Sequence, residues 1–312
     1  MIRVTPHTLG TLTGVEVKAD QQAILFADLP SMTAEPLSDA ETTRHLAEID
    51  DIIRTKRFRV IGAGDDRSVW DRGWGEVADA TRQTDHVTIE TLKPQYFHNE
   101  VPLRFDGRYV RPTSDYFEYY AGIAIRRQAM LTYLNGCSSL LELGCGTGLN
   151  LLLAAELFGG ARLAGTDWAR PTLDLLGHLG RSLGRGIDGR LLDFFADDGW
   201  ASLPITPETD ILTCHALEQV GDRVGPVLDR LIASAPRRCL HLEPVLEFYD
   251  QTAPLDAIAA RYHQTRGYLA AFWPHLQAAE AAGRIRILAA KRVKLGNLYH
   301  EAYSTVVWEP AR

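Results

Sequence analysis

The sequence predicts an α/β protein: a doubly wound, mostly parallel sheet of seven strands that ends in an antiparallel hairpin, preceded by an N-terminal α+β cap. Two observations support this prediction. From residue 138 onward, short apolar runs of strand composition alternate with runs of helix length, which is the pattern of right-handed βαβ units. The first of these strands stops at three closely spaced glycines, and a helix follows. We expect residues 1–125 to form the cap and residues 126–312 the doubly wound domain.

The cap begins with two β-rich runs, Thr11–Lys18 and Gln22–Leu29, which predict a hairpin because only three residues separate them. A helix is predicted from Ser38, where the sequence Ser-Asp-Ala-Glu has the form of a capping box. Apolar residues at helical spacing follow it, and the glycines of residues 62–64 are expected to end the region.

Two tryptophans, Trp70 and Trp74, lie four residues apart and would share one face of a second helix. A third helix is predicted from Tyr116 to Leu134. The cap could contribute to substrate binding. A structural extension or a homodimer surface is an equally good interpretation of residues 1–125.

The doubly wound domain takes its order from the alternation of strands and helices. A long helical segment, predicted over 255–282 within an insertion at 250–283, interrupts the alternation before the last two strands. Strands are expected near 138–143, 161–166, 189–193, 209–214, 237–242, 284–288 and 303–308, with helices near 149–158, 171–183 and 224–235.

Composition excludes several classes of protein. The chain has 312 residues, of which 46% are hydrophobic, and a net charge of −7, which disfavours binding to a nucleic-acid backbone. No apolar stretch of about 18 residues predicts a membrane span, and the N-terminus lacks the form of a secretory signal. The four cysteines show no C-x-x-C spacing, so we expect no metal site, and free thiols suit a cytoplasmic location.

The glycine-rich turn after the first parallel strand predicts a site for a nucleotide-like ligand. Glu142 is followed by Gly144, Gly146 and Gly148, and glycines let a ligand approach the backbone closely because they lack a Cβ atom. Asp167 lies 19 residues after Gly148, at the spacing expected of an acid that binds ribose hydroxyls. The G-x-G-x-G spacing differs from the dinucleotide pattern, and Glu142 would repel a pyrophosphate but attract a sulfonium or an ammonium group.

These residues resemble the class I S-adenosylmethionine-dependent methyltransferases, whose first motif, E/D-x-G-x-G-x-G, matches Glu142–Gly148 in full. The resemblance covers residues 138–308 and extends to the small-molecule methyltransferases of natural-product biosynthesis. It implies S-adenosylmethionine (SAM) as cofactor and S-adenosylhomocysteine (SAH) as product. It also implies that Glu142 faces the methionine ammonium and that Asp193 and Phe194 contact adenine. The implied cofactor-binding residues are Glu142, Gly144, Cys145, Gly146, Gly148, Asn150, Asp167, Trp168, Asp193, Phe194 and His215.

The ends of the fourth and fifth strands carry the candidate catalytic residues. His215 and Glu218 are three residues apart and would share a face of a helical turn, although His215 could also be a structural imidazole. His241 and Glu243 alternate along the fifth strand and should point to the same side. Glu243 is expected beside the donor methyl, where it could orient a cationic acceptor or take its proton.

The cluster expected around the acceptor is rich in carboxylates, which seek positive partners when they are buried; it comprises His215, Glu218, Glu243 and Glu301. We therefore predict methyl transfer to a nitrogen of a small polar acceptor, such as an amine or guanidine of an amino-acid-like metabolite. The alternatives are a sugar or phenol hydroxyl, with His215 or His241 as base, and a non-catalytic interaction module. The absence of a D-P-P-Y motif disfavours methylation of nucleic-acid amino groups. The predicted acceptor-binding residues are Glu243, Tyr299, His300, Glu301 and Tyr116.

Overall fold

The computed structural model describes residues 1–58, 67–97 and 102–311. The predicted glycine turn at 62–64 lies outside these ranges. The N-terminal part contains β1 (Ile2–Arg3), α1 (Pro6–Thr13), α2 (Gln22–Leu25), β2 (Thr33–Pro36), α3 (Asp39–Thr55), α4 (Ser68–Thr81), β3 (Leu103–Phe105), β4 (Arg108–Pro112) and α5 (Phe117–Tyr133).

The C-terminal part alternates as predicted. Its first elements are β5 (Ser139–Leu143), α6 (Leu149–Leu157), β6 (Arg162–Asp167), α7 (Pro171–Ser182), β7 (Ile187–Leu191), β8 (Thr209–Cys214), α8 (Val224–Ser234) and β9 (Arg238–Glu243). A 3-10 segment at Leu217–Arg223 precedes α8. The remaining elements are α9 (Pro254–Arg266), α10 (Phe272–Ala281), β10 (Ile285–Lys291), β11 (Leu295–Gly296) and β12 (Ser304–Pro310).

The seven-stranded sheet has the order β10-β12-β9-β8-β5-β6-β7, in which the central strands are parallel and β12 runs antiparallel to both of its neighbours. The predicted fold class is therefore confirmed. The long helical segment predicted over 255–282 is two helices, α9 and α10.

The cap is joined to the doubly wound domain by more than one connection. A second sheet of order β1-β2-β4-β3-β11 takes its last strand from the C-terminal half, because the chain leaves β10 to pair with β3 before it returns as β12. The predicted division after residue 125 falls within α5. A division of the chain at that point remains a prediction.

The predicted hairpin over residues 11–29 is wrong. Thr5 caps α1 by accepting from the amide of Thr8, and Pro6 occupies the first helical turn. Thr13 donates its hydroxyl to the carbonyl of Leu9, and Leu9 is fully buried. Burial of one helical face thus outweighs the β preference of the threonines. The capping box at Ser38, the helix that carries Trp70 and Trp74, and α5 agree with the prediction.

Two layers of helices cover the seven-stranded sheet. One apolar core lies on the side of α5, α6 and α7, and the other lies on the side of α8 and α10. Alternation along the strands places Cys214 on the α5 side, and His241 and Glu243 on the α8 side. No helix in the described ranges is long and apolar enough to cross a membrane.

Candidate active site

The glycine turn after β5 adopts a backbone conformation that residues with side chains rarely adopt. Gly144, Gly146 and Gly148 have φ angles of 71°, 52° and 81°. A Cβ atom added at Gly144 would lie 2.4 Å from the Cβ of Ala216, and one at Gly146 would lie 3.0 Å from the indole of Trp74. The turn therefore requires glycine both for its conformation and for its close neighbours.

Asp167, at the end of β6, fixes this turn from the neighbouring strand. Its Oδ2 accepts a hydrogen bond of 2.9 Å from the amide of Gly146, and its Oδ1 accepts one of 2.9 Å from the amide of Ala169. Burial raises the pKa of Asp167 to about 6. The side chain of Cys145 packs against β6, where its sulfur is 2.7 Å from a Cβ position added at Gly165.

Glu142 lies on β5 with its side chain toward α6. Its Oε1 accepts from the Nδ2 of Asn150 at 2.6 Å, and the residue is 1% exposed. Oε2 of Glu142 and Oδ1 of Asn150 are buried without a hydrogen-bond partner among the described residues. Burial raises the pKa of Glu142 well above its usual value. Buried acceptor atoms without a partner call for a hydrogen-bond donor, and an ammonium group of a ligand would supply one.

A cleft opens at the carboxyl ends of the strands, where ligands bind in open α/β sheets. Asp193 follows β7, and its Oδ2 accepts from Arg67 at 2.7 Å while its Oδ1 accepts from the amide of Phe195. The cleft is lined by Trp70, Trp74, Gly144, Asp167, Trp168, Leu192, Asp193, Phe194, Phe195, His215, Ala216, Gln219, Val220 and Arg223. The cleft is thus lined by Gly144, by Asp167 and Asp193 at the strand ends, and by several aromatic side chains.

Helix α4 forms one side of this cleft. Trp70 and Trp74 pack together with ring centroids 5.4 Å apart, and Arg67 lies 5.6 Å from the ring centroid of Trp168. The four-residue spacing of the two tryptophans predicts that they share one helical face, but it does not indicate what that face covers.

The turn after β8 holds His215 in a left-handed conformation, with φ of 56°, which is strained for a residue with a side chain. Its Nδ1 lies 3.6 Å from Oε2 of Glu218, and its ring packs edge-on against Tyr303 at 4.9 Å. Burial alone would lower the pKa of His215, but the adjacent Cys214 sulfur and the Glu218 carboxylate outweigh it and raise the pKa to about 10. The imidazole therefore holds its proton at neutral pH.

Arg126 on α5 is a buried cation that no motif in the sequence indicates. Its Nε donates to the sulfur of Cys214 at 3.3 Å, and its guanidinium lies 5.2 Å from the ring centroid of Tyr303. Its Nη1 and the hydroxyl of Tyr303 are buried and have no hydrogen-bond partner in the described part of the chain. These two donors lie on the same side of the sheet as Glu142 and are suited to an anionic group.

Glu243 does not face an acceptor, and this corrects its predicted catalytic and acceptor-binding roles. Its carboxylate accepts hydrogen bonds of 3.1 Å from each of three successive amides, those of Ala216, Leu217 and Glu218. The side chain is fully buried on the α8 side of the sheet. It therefore fixes the turn that carries His215.

His241 also lies in the core, which corrects its predicted catalytic role. Its Nε2 accepts from the indole of Trp308 at 2.9 Å, and its Nδ1 lies 2.9 Å from the hydroxyl of Thr213. Burial lowers the pKa of His241 to about 3. His241 and Glu243 share a side as predicted, but α8 and α10 cover that side.

The carboxylate of Glu301 is also already bound. Arg292 donates to its two oxygens at 2.7 and 2.9 Å, and the same guanidinium donates to Asp256 at 2.6 and 2.7 Å. Glu301 is 4% exposed. This buried ion pair corrects the prediction that Glu301 binds an acceptor.

The other predicted acceptor-binding residues pack against protein. Tyr299 stacks on a tyrosine of α9 with ring centroids 4.7 Å apart. His300 is 3% exposed and lies 5.0 Å from the ring of Tyr268. The ring of Tyr116 lies beneath the ammonium of Lys93 at 3.4 Å. None of these three residues lines the described cleft.

Replacing Glu243 by alanine is expected to lower the free energy of unfolding by at least about 3 kcal/mol, because three buried amides would lose their acceptor. Urea denaturation measures this loss. Glu35→Gln, which alters an exposed carboxylate on β2, is the control and should change stability by less than about 0.5 kcal/mol. Equal stability of the two variants would contradict the role assigned to Glu243.

No protein-family model matches the sequence, and no curated protein matches it. Solved structures do match. The [4+2]-cyclase SpnF matches with a TM-score of 0.50 and 10% identity, over 80% of this chain and 96% of its own. A SAM-dependent methyltransferase from Aquifex aeolicus matches with a TM-score of 0.41 and 15% identity, over 60% of this chain and 89% of its own. The mitomycin 7-O-methyltransferase MmcR matches with a TM-score of 0.44 and 13% identity, over 95% of this chain and 76% of its own.

These similarities concern the fold. The match to the cyclase supports the same Rossmann-like architecture as the strand order does. Because one protein with this fold is a cyclase, the fold alone does not determine the reaction, and the function has to be argued from the site. In the described ranges, no group of three or more His, Cys, Asp or Glu side chains is arranged to hold a metal ion.

Proposed function

We propose that the chain is a SAM-dependent methyltransferase that methylates a nitrogen of a small polar acceptor. The main support is the set of buried polar atoms without partners beside the glycine turn. Glu142 and Asn150 offer acceptors, whereas Arg126 and Tyr303 offer donors. The amino-acid end of SAM carries an ammonium, which suits the two acceptors, and a carboxylate, which suits the two donors.

Residues along the cleft would hold the rest of the cofactor. Asp167 would accept hydrogen bonds from the ribose hydroxyls, with Trp168 beside it. Asp193 and Phe194 would contact adenine, and the glycine turn would allow the close approach of the backbone. Bound SAM supplies a methyl group on a positively charged sulfur, so the reaction needs mainly an acceptor held at attacking distance.

The electrostatics of the site support a nitrogen acceptor over a hydroxyl. A hydroxyl would need a base to remove its proton, and neither of the two histidines predicted for that role can serve. His215 retains its own proton at neutral pH, and His241 lies in the core. Two carboxylates, those of Glu218 and Glu118, interact with the protonated His215, and carboxylates removed from water favour further cationic partners.

A methylation assay with radiolabelled SAM tests the choice of acceptor. The purified chain would be incubated with panels of primary amines, guanidines, phenols and sugars. We expect label to pass to amines or guanidines. Turnover of phenols or sugars alone would contradict the nitrogen assignment and favour O-methylation.

Asp167→Ala is expected to weaken SAH binding by about 1–3 kcal/mol, or roughly 5- to 150-fold, because two ribose hydroxyls lose their acceptor. Calorimetry measures this change. Asp174→Ala, which alters an exposed carboxylate on α7, is the control and should bind SAH as the wild type does. Unchanged affinity in Asp167→Ala would exclude Asp167 as the ribose ligand.

The raised pKa of Asp167 predicts a pH dependence of binding. The carboxyl group is ionised above pH 6 and protonated below it, and only the ionised form accepts from both ribose hydroxyls. SAH affinity should therefore fall as the pH decreases from 7 to 5. Asp167→Asn should reduce this slope, and an identical slope would contradict the assignment.

A further inference from the structure

One face of α5 carries a carboxylate, that of Glu118, which has no role in holding SAM. Glu118, Gly122 and Arg126 are spaced by four residues and share this face. A Cβ added at Gly122 would lie 2.7 Å from the hydroxyl of Tyr303, and Arg126 packs on the same tyrosine. His215 contacts that ring from its edge. Glu118 lies one turn N-terminal to Gly122 on this face and interacts electrostatically with His215 and Arg126. We call the region around Glu118, Tyr303 and His215 the acceptor chamber.

The carboxylate of Glu118 differs from the others near the site because nothing fixes it. Among the residues that the structure describes, no hydrogen bond or ion pair joins it, whereas Glu243 has three amide donors and Glu301 has Arg292. Glu118 is only partly exposed. Burial raises the pKa of Glu118 to about 7, although the positive charges of His215 and Arg126 oppose the increase.

Tyr96 is a further titratable group near Glu118. It exposes 58% of its surface, yet burial raises the pKa of its hydroxyl, and that hydroxyl interacts electrostatically with Glu118 and Arg126. The charged and titratable groups that face Glu118 are His215, Glu218, Arg126, Tyr96 and Tyr303.

We propose that Glu118 binds the ammonium group of the acceptor in this chamber and takes one of its protons. This inference rests on the proposed methyltransferase function. Loss of the proton to the carboxylate leaves the nitrogen with a lone pair. The nitrogen then forms a bond to the methyl carbon, the carbon–sulfur bond breaks, and its electron pair stays on sulfur. The products are a methylated ammonium, a neutral thioether and a protonated Glu118.

Binding of three matched probes tests the assignment without knowledge of the natural acceptor. Phenethylamine, 2-phenylethanol and 3-phenylpropionate share an aromatic ring that suits the chamber walls, and they differ in charge. Calorimetry in saturating SAH should show the amine binding at least about tenfold more tightly than the other two. Glu118→Gln should remove this preference, and Glu118→Asp should restore part of it. SAH affinity should stay within about twofold of wild type in both variants.

The outcomes separate this inference from the proposed function. Failure of the wild type to bind SAH would overturn the function itself. Normal SAH binding without a preference for the amine, or with a preference that Glu118→Gln retains, would overturn the role of Glu118 alone. Normal SAH binding without any binding of the amine would also overturn the role of Glu118 alone.

The pH dependence of methyl transfer to phenethylamine gives a second readout. The proton acceptor must be ionised, so kcat should rise with pH through about 7 in the wild type. In Glu118→Gln, kcat should no longer rise with pH in this range. Its value should also fall by at least about 100-fold. Glu35→Gln is the control and should keep the profile of the wild type. A wild-type profile in Glu118→Gln, or a wild type that does not methylate the amine, would contradict the proposed proton transfer.

Discussion

Gly144→Ala is expected to abolish measurable SAH binding and to lower the free energy of unfolding by about 3 kcal/mol or more. Two costs add. The left-handed φ of 71° costs an alanine about 1–2 kcal/mol. The new Cβ would also lie 2.4 Å from the Cβ of Ala216, and Ala216 cannot move away because its amide is bound to Glu243. The strain must therefore distort the glycine turn or the turn that carries His215.

Two further variants isolate these costs. Gly159→Ala is a matched control, because nothing lies within 4 Å of a Cβ added there, and it should bind SAH normally. The double variant Gly144→Ala/Ala216→Gly removes the steric clash but keeps the φ strain, so it should recover part of the stability. Urea denaturation and calorimetry measure both effects. Wild-type stability and SAH affinity in Gly144→Ala would contradict the packing described for this turn.

Arg126→Met is expected to weaken SAH binding by about 2–5 kcal/mol, or roughly 30- to several-thousand-fold, because the carboxylate of the ligand would lose a buried cationic partner. Methylthioadenosine, which retains the adenosine but lacks the amino-acid end, distinguishes this loss from a general disturbance of the site. Its affinity should change less than about threefold. Equal losses for the two ligands would contradict the role of Arg126.

Arg127→Met provides the control for the removal of a buried arginine. Arg127 is the next residue of α5, but its guanidinium binds Glu156 and the carbonyl of Ala27. Its removal should lower stability without changing the ratio of SAH to methylthioadenosine affinity. Arg126→Lys keeps the positive charge and should recover part of the SAH affinity.

The surroundings of the glycine turn could be predicted from sequence because its residues follow a local pattern. Glu142 and the three glycines are contiguous, and Asp167 lies at a spacing set by one helix and one strand. The structure places Asp167 in hydrogen-bond contact with the amide of Gly146, as that spacing suggests. The alternation of strands with helices likewise predicted the sheet, since its central strands are short, largely apolar runs.

The acceptor side could not be predicted because it depends on long-range packing. Period-two alternation correctly put His241 and Glu243 on one side of β9, but it does not specify that α8 and α10 cover that side. Arg126 precedes the glycine motif and carries no motif of its own. Glu301 looked like a free carboxylate because its partner, Arg292, lies nine residues away across a turn.

The most direct test of the account is a calorimetric titration of the full chain with SAH and, separately, with NAD. The glycine turn, Asp167 and the unpartnered atoms of Glu142 and Arg126 together predict saturable binding of SAH and none of NAD. Binding of NAD without binding of SAH would contradict the central claim that this cleft holds the adenosyl group and the amino-acid end of a methyl donor.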